Sequence, residues 1–446
     1  MKDVVFVNPC FDYPVTKKNN LPIYNRIWPP LSIANCASIL EREGYSVDII
    51  DANAERLSIK ETVEKAKDGR KVFITTSSLD RWQCPNFGLE VPVKIAESIQ
   101  NDTDTYFIGY HGTVRSKEIL EISGVDGIIL GEPENNIESV VEDPRNAPNL
   151  AYINGDEFTI NKDKEPIDLN EIPLPALHLL PMERYHYEIM GSNFTLLETS
   201  RGCPWSCNFC NKEMYGDSFR KKSFEKVKEE IEYVVEECDV KNLYFIDLEF
   251  TINRKLVEKI CSFLIEKDYD LNWTCQTRLD TVDKDLLKMM RNAGCQFIHY
   301  GVETGSKEIL DRIGKDISFE QIRKGIRITK ESGIKSICFF MLGFPGETEE
   351  NMNRTVEFAN ELNPEFASFN AVKPYPGTSF YENTGDINNL FPEYLRNEYS
   401  QEFLRKKINN AYKSFYIRPR YIIKNIFKNP KLLYKQWKLF FNYIFN

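Results

Sequence analysis

The chain has 446 residues, room for two or three domains. Hydrophobic residues make up 42% and charged residues 28%, the balance of an ordinary globular protein, and no apolar run approaches the ~20 residues of a membrane span. The net charge of −10 is uneven: residues 390–446 carry 12 Lys/Arg against 3 Asp/Glu, so the remainder is strongly acidic and argues against a nucleic-acid-binding core.

The first residues, Met1-Lys2-Asp3-Val4-Val5-Phe6-Val7-Asn8, lack the charged-then-apolar order of a signal peptide and read as a buried strand over 4–8. Eleven cysteines without such a signal fit a reducing cytoplasm rather than a disulfide framework. Residues 30–42 put Leu31, Ala34, Ala37 and Leu40 on one helical face, and Gly44 stops the helix. Strands follow over 46–51, 71–77, 105–109 and 127–131, with a helix over 91–100. Strands alternating with helices predict a parallel sheet covered on both faces, an α/β Rossmann-like domain over residues 1–143. Ligands of such sheets sit beyond the carboxyl ends of the strands. Those ends carry Asn8, Asp51, Ser77-Ser78, Gly109-Tyr110-His111-Gly112 and Gly131-Glu132-Pro133. In the loop Asp80-Arg81-Trp82-Gln83-Cys84-Pro85, Trp82 either meets a ligand or caps the sheet.

Residues 144–190 read as a linker, broken by Pro144, Pro148, Pro166, Pro173, Pro175 and Pro181. A small hairpin fits residues 151–160 around Asn154-Gly155. His178, within an apolar run, reads as a packed histidine. Residues 191–384 then repeat a strand–helix unit, with strands over 195–199, 242–247, 272–276, 296–302, 336–341 and 366–372. Serial β/α units predict a partial or complete barrel, with chemistry gathered at the carboxyl ends of the strands.

Directly after the first of these strands comes Gly202-Cys203-Pro204-Trp205-Ser206-Cys207-Asn208-Phe209-Cys210. Three thiolates at this spacing can hold three irons of a [4Fe-4S] cluster, whereas complete cysteine ligation uses four. One iron is then open to a substrate or cofactor. Structural zinc would need a paired fourth ligand, and the nearest histidine is His186. Cys261, Cys275 and Cys338 lie in apolar patterns, and Cys238 and Cys295 at element edges, all consistent with core packing.

With an aromatic residue, Phe209, just before its last cysteine, the triplet resembles the hallmark of the radical S-adenosylmethionine (SAM) superfamily. The resemblance implies that SAM binds the open iron through its amino and carboxylate groups. It implies SAM contacts at Phe209, at Asp247 and Glu249 after the second strand, at Arg278, at Glu303 of Gly301-Val302-Glu303, and at Gly343 of a glycine-rich turn. Tyr375-Pro376-Gly377-Thr378 resembles the segment that closes the family's barrel. By residue type alone each carboxylate has a helix cap or a surface charge as its alternative, and Glu347, near a helix start, reads that way.

Residues 1–143 also resemble the cobalamin-binding domain fused to many members of this superfamily. The motifs Pro29-Pro30-Leu31-Ser32, Glu43-Gly44-Tyr45-Ser46-Val47-Asp48, Gly109-Tyr110-His111-Gly112-Thr113 and Gly131-Glu132-Pro133 occur in its order. The resemblance implies cobalamin contacts at Asn8, Ser77, Ser78, Trp82, Gly109, His111, Gly131 and Glu132. The D-x-H-x-x-G motif that supplies a cobalt ligand in many cobalamin proteins is missing, since His111 has no Asp two residues before it. Cys10, Cys36 and Cys84 leave open a methylthiotransferase, a relative with a second cluster on three N-terminal cysteines, although Cys36 falls inside the predicted helix.

Residues 385–446 form a basic, aromatic extension, and Phe415-Tyr416-Ile417-Arg418-Pro419-Arg420-Tyr421 resembles the end of other cobalamin-type members. Leu432, Leu433, Trp437, Phe440 and Phe441 fall at helical spacing, for packing on the barrel or for membrane contact. The resemblance as a whole implies a cytoplasmic, cobalamin-dependent radical SAM enzyme, and the basic tail leaves peripheral membrane contact open beside packing on the barrel. It implies a methyltransferase for an unactivated carbon or phosphinate centre of a small anionic or lipid-like substrate. One SAM would methylate cobalamin and a second would yield the deoxyadenosyl radical, with electrons from a flavodoxin- or ferredoxin-type protein. The alternatives are cyclisation or rearrangement without methyl transfer, and a non-catalytic regulator, which would need no open iron.

Overall fold

Val4, Val5, Phe6 and Val7 form an unbroken apolar run, and all four are buried, as in a strand covered on both faces. This strand, β1 (Lys2–Asn8), lies in a seven-stranded sheet of order β2-β1-β3-β4-β5-β6-β7 in the computed structural model of the chain. The other members are β2 (Val47–Asp51), β3 (Gly69–Thr75), β4 (Asp104–Ile108), β5 (Gly127–Ile129), β6 (Leu150–Asn154) and β7 (Glu157–Ile160). The structure describes residues 1–10, 26–85, 88–162, 165–216, 218–381, 390–392, 395, 399–419 and 421–423.

Strands β1 to β5 are parallel, and the chain steps from β2 on one side of β1 to β3 on the other. The crevice between the carboxyl ends of β1 and β3 is therefore the topological switch point, where such sheets bind ligands. The hairpin expected within the linker does form, but it extends this first sheet: β6 pairs antiparallel with β5, Ile128 opposite Ala151. The helix Leu31–Arg42 differs from its expected single apolar face, because every residue from Leu31 to Leu40 is buried. The linker stretch just after Pro175 crosses over it, with Ala176 N donating to Ala34 O at 3.0 Å.

The second sheet has six parallel strands in serial order: β8 (Phe194–Leu197), β9 (Asn242–Phe245), β10 (Asn272–Gln276), β11 (Cys295–Glu303), β12 (Lys335–Leu342) and β13 (Phe366–Ala371). Helices such as Arg254–Lys267, Phe319–Glu331 and Glu349–Leu362 connect them. Among the described residues no pairing joins β8 to β13, so this is an open β/α array, the partial-barrel form of the expectation. The free edge of β13 is covered by the helix Gln401–Tyr416. Tyr416 Oη accepts from Ala367 N at 3.1 Å and donates to Ala367 O at 2.8 Å, satisfying an edge that would otherwise recruit another strand. The helical positions expected over 432–441 lie outside the described residues.

Candidate active site

The cysteine loop leaves β8 through Ser200-Arg201, which pairs antiparallel with Arg220-Lys221. Gly202 makes the entry: its φ is +87°, and a Cβ there would lie 2.1 Å from the Ser218 carbonyl oxygen. Cys203, Cys207 and Cys210 follow, all partly exposed. Lys212 Nζ ties the loop down by donating to the carbonyls of Cys203 at 3.3 Å and Trp205 at 2.8 Å. Asn208 docks it on the far side, its N–H on Ile313 O at 3.0 Å and its amide on Arg312 O at 2.9 Å. Burial pushes the Cys203 thiol up to about 11 and Cys210 to about 12, and the three thiols act on one another electrostatically. Among the described residues no three His, Cys, Asp or Glu side chains converge as around a single ion. A four-iron cluster spreads its thiolates wider, one to an iron. Partly exposed thiols on an anchored loop, with an amide donor at Cys210, suit that larger group.

The residues expected around SAM gather about this loop. Phe209 meets Phe344 edge-on at 5.9 Å, beside Gly343. The N–H groups of Gly343 and Phe344 both donate to Glu347 Oε2, at 2.6 and 3.0 Å. Glu347 is thus a buried closure of the turn and not the helix cap or surface charge expected, and burial pushes its carboxyl up to about 7. Asp247, fully enclosed, accepts from Thr199 N, Thr199 Oγ1 and Ser200 Oγ, which fastens the base of the cysteine loop to β9. Burial raises its carboxyl. Glu249 accepts from Arg278 N at 2.7 Å, and burial pushes it to about 7. Arg278 forks onto Asp280 at 2.9 and 2.8 Å and lies 4.6 Å over the Trp205 ring, joining strand β10 to the loop. Glu303 has φ +68° at a bulge in β11, and its carboxylate takes Lys315 Nζ at 2.7 Å. Lys315 is buried and its charge acts on Cys207 and Glu249.

The residues expected around cobalamin lie along the carboxyl edge of the first sheet. Asn8 Nδ2 donates to Asp51 Oδ1 at 2.9 Å, and Tyr185 Oη donates to Asp51 Oδ2 at 2.7 Å. Ser77 Oγ accepts from Tyr110 N at 2.8 Å, and Ser78 bonds Asp80. Gly109, at φ +107°, leaves no room for a Cβ, which would meet Ser77 O at 2.8 Å. Gly131 N donates to Thr113 Oγ1 at 3.0 Å. His111 is fully buried, 4.6 Å from the Phe391 ring. Trp82 is also buried: its Nε1 donates to Ser77 O at 3.3 Å, and its ring packs on Tyr215 at 5.6 Å and under the Arg201 guanidinium at 5.5 Å. Glu132 is taken by Arg201 at 2.6 Å and by Arg220. Cys36 is buried within its helix, Cys10 is partly exposed and Cys84 exposed.

Two connections escaped the sequence. Arg201 bonds Glu132, Glu134 and Glu198, drawing carboxylates from the first sheet onto the stem of the cysteine loop. Gln83, from the loop after β3, donates to Cys210 Sγ at 3.4 Å. Both residues stand in segments whose motifs are visible, but their partners lie on distant stretches with no local signal.

Residues 197–359 match the Radical SAM superfamily, and residues 24–141 match the B12 binding domain. The chain is 30% identical over 432 residues to an uncharacterized methyltransferase of Pyrococcus horikoshii, covering 92% of each. It is also 30% identical over 384 residues to the anaerobic magnesium-protoporphyrin IX monomethyl ester cyclase of Rubrivivax gelatinosus, covering 82% of this chain and 68% of that one. In fold it is similar to the radical SAM methyltransferase TsrM from Kitasatospora setae, solved with cobalamin and a [4Fe-4S] cluster, at a TM-score of 0.67 and 17% identity over 85% of this chain and 74% of that one. With the cysteine loop beside a B12-type sheet and a relative matched nearly end to end, this chain belongs to the radical SAM superfamily, as an enzyme whose radical SAM domain follows a B12-binding domain.

Proposed function

We propose that this chain is a cobalamin-dependent radical SAM methyltransferase acting on a small molecule at an unactivated carbon or a phosphinate centre. The observation that supports it best is the approach of two carboxyl edges, with the loop after β3 reaching Cys210 through Gln83 at 3.4 Å. A corrin on the first sheet and a cluster in the cysteine loop would then face one volume. Cys203, Cys207 and Cys210 would hold the cluster. Phe209, Asp247, Glu249, Arg278, Glu303 and Gly343 would border SAM. Asn8, Ser77, Ser78, Gly109, His111 and Gly131 would border cobalamin, with Trp82 and Glu132 bracing that edge.

When bound, these groups supply a hydrogen-abstracting radical and a transferable methyl group; the chain orients them and excludes water. Burial, followed by the charge of Arg26, holds His299 down to about 3, so this inward-facing histidine stays neutral and offers no proton at neutral pH. An anionic or lipid-like substrate, a flavodoxin- or ferredoxin-type donor and a cytoplasmic location with peripheral membrane contact belong to the same proposal. The sequence support for the membrane contact and for such a substrate is the basic tail, most of which lies outside the described residues. Among the described residues no helix is long and apolar enough to cross a membrane.

Anoxically reconstituted protein, given SAM, a reductant and an extract of small molecules, should form both S-adenosylhomocysteine and 5′-deoxyadenosine. The first marks methyl donation and the second radical formation. A full cluster with no deoxyadenosine would overturn the reading. The cyclase relative favours a second reading, cyclisation without methyl transfer. Its signature is deoxyadenosine without S-adenosylhomocysteine.

A further inference from the structure

Cys210 receives a hydrogen bond from outside its own loop. Gln83 Nε2 donates to Cys210 Sγ at 3.4 Å from the first sheet's side of the junction. A thiolate sulfur on iron can only accept, so the Gln83 group facing it is the NH2, and Oε1 faces away. Gln276 Nε2 donates to that oxygen at 3.5 Å and to the Leu248 carbonyl at 3.4 Å. Gln276 Oε1 in turn takes the Tyr244 hydroxyl at 3.3 Å. Burial raises Tyr244 far above neutral pH, so its hydroxyl keeps its proton and donates. Each bond in this row therefore donates toward the sulfur, from Tyr244 through Gln276 and Gln83 to Cys210. The Gln83 loop is also held in place: Asn211 Nδ2 donates to Trp82 O at 3.1 Å, and Tyr375 Oη to Pro85 O at 3.4 Å.

We infer that Gln83 is a positioning residue for the [4Fe-4S] cluster, whose amide N–H at Cys210 raises the cluster's reduction potential. The inference rests on the assignment of Cys203, Cys207 and Cys210 as the cluster ligands. Reduction adds one electron to the cluster and no proton, so charge builds on the ligand sulfurs. An N–H aimed at one of them favours the reduced form. The amide comes from the sheet that carries the B12-binding elements, so that sheet sets part of the electronics of a cluster held elsewhere in the chain.

The test is an anoxic titration of the full reconstituted chain with titanium(III) citrate as the one-electron reductant, read by EPR, in the parent, Gln83→Leu and Gln276→Leu. Iron content is measured first, and a parent without a four-iron cluster overturns both the ligand assignment and the inference. In Gln83→Leu the reduced-to-oxidised ratio at a fixed potential falls about tenfold, equivalent to about 59 mV for a one-electron couple. Gln276→Leu, which frees the Gln83 amide to turn away, gives a smaller fall. An unchanged ratio in a Gln83→Leu protein with its cluster intact overturns the inference and leaves the ligand assignment standing. Should Gln83→Leu not hold a cluster, Gln276→Leu decides: a lower ratio supports the role of Gln83, and an unchanged one overturns it.

Discussion

Arg201 Nη2 donates to Glu134 Oε1 at 2.6 Å, and neither side chain has any exposed surface. Glu134 follows β5 of the first sheet, whereas Arg201 opens the cysteine loop of the second. The same guanidinium bonds Glu132 at 2.6 Å and Glu198 at 2.7 Å. Charges can stay out of water here because each carboxylate meets a charged N–H donor.

Removing that donor should be costly. Arg201→Leu leaves three buried carboxylates without their shared partner, and unfolding in urea should show a loss of about 3–5 kcal/mol. A loss below about 1 kcal/mol would mean that the carboxylates find water or other partners.

Cys207→Ala should separate the two cofactors. The variant should lose the cluster's visible absorbance and all deoxyadenosine formation, yet bind cobalamin as the parent does. Loss of cobalamin in parallel would show that the first sheet cannot hold it without the cluster loop.

Glu347 gives a pH dependence of stability. Its carboxyl titrates at about 7 in the folded chain against 4.5 for the free group. Between those values the folded chain keeps a proton that the unfolded chain has released. Stability therefore falls as pH rises through this window and levels off above it. The ceiling on the effect is about 3 kcal/mol. Glu347→Gln keeps an oxygen for the Gly343 and Phe344 N–H groups but cannot ionise. Relative to the parent it should gain stability from about pH 5 to about pH 8 in urea unfolding. A gap that stays constant with pH would rule this out.

Glu303 combines a carboxylate with a left-handed backbone. Across the bulge Gly301 faces Phe339 and Glu303 faces Phe340, so Val302 is the extra residue. Glu303→Gly and Glu303→Ala both lose the Lys315 pair, but only alanine meets the steric cost of positive φ. The glycine variant should be more stable by about 1–2 kcal/mol. Both should bind SAM about tenfold more weakly in equilibrium dialysis, a change of about 1.4 kcal/mol.

The two sheets were legible because short apolar runs such as Val4, Val5, Phe6 and Val7 alternate with helical stretches, and the cysteine loop was legible from spacing alone. What depends on a distant partner was not. The hairpin around Gly155 could be read as a hairpin, but its docking on β5 depends on a register with Ile128 and Ile129. Glu347 stands beside a helix start, where a negative charge is favourable in any setting, and only the packing around Phe344 makes it a buried turn closure. Ser32, Asn35 and Ser38 look like the wet face of the helix Leu31–Arg42, yet all three are buried, and Asn35 Nδ2 donates to the distant Glu134 at 3.1 Å. Gln83 and Cys210 are separated by 127 residues, and no periodicity announces such a pair.

The Arg201 cluster also bears on modular exchange. A chimera that joins this first sheet to another radical domain inherits Glu132 and Glu134 from one parent and must find Arg201 and Arg220 in the other. A crossover placed within the proline-rich stretch would look harmless in sequence, yet it would divide one buried charge group between two ancestries. Swaps that carry both sides of the cluster together are the ones this architecture can accept.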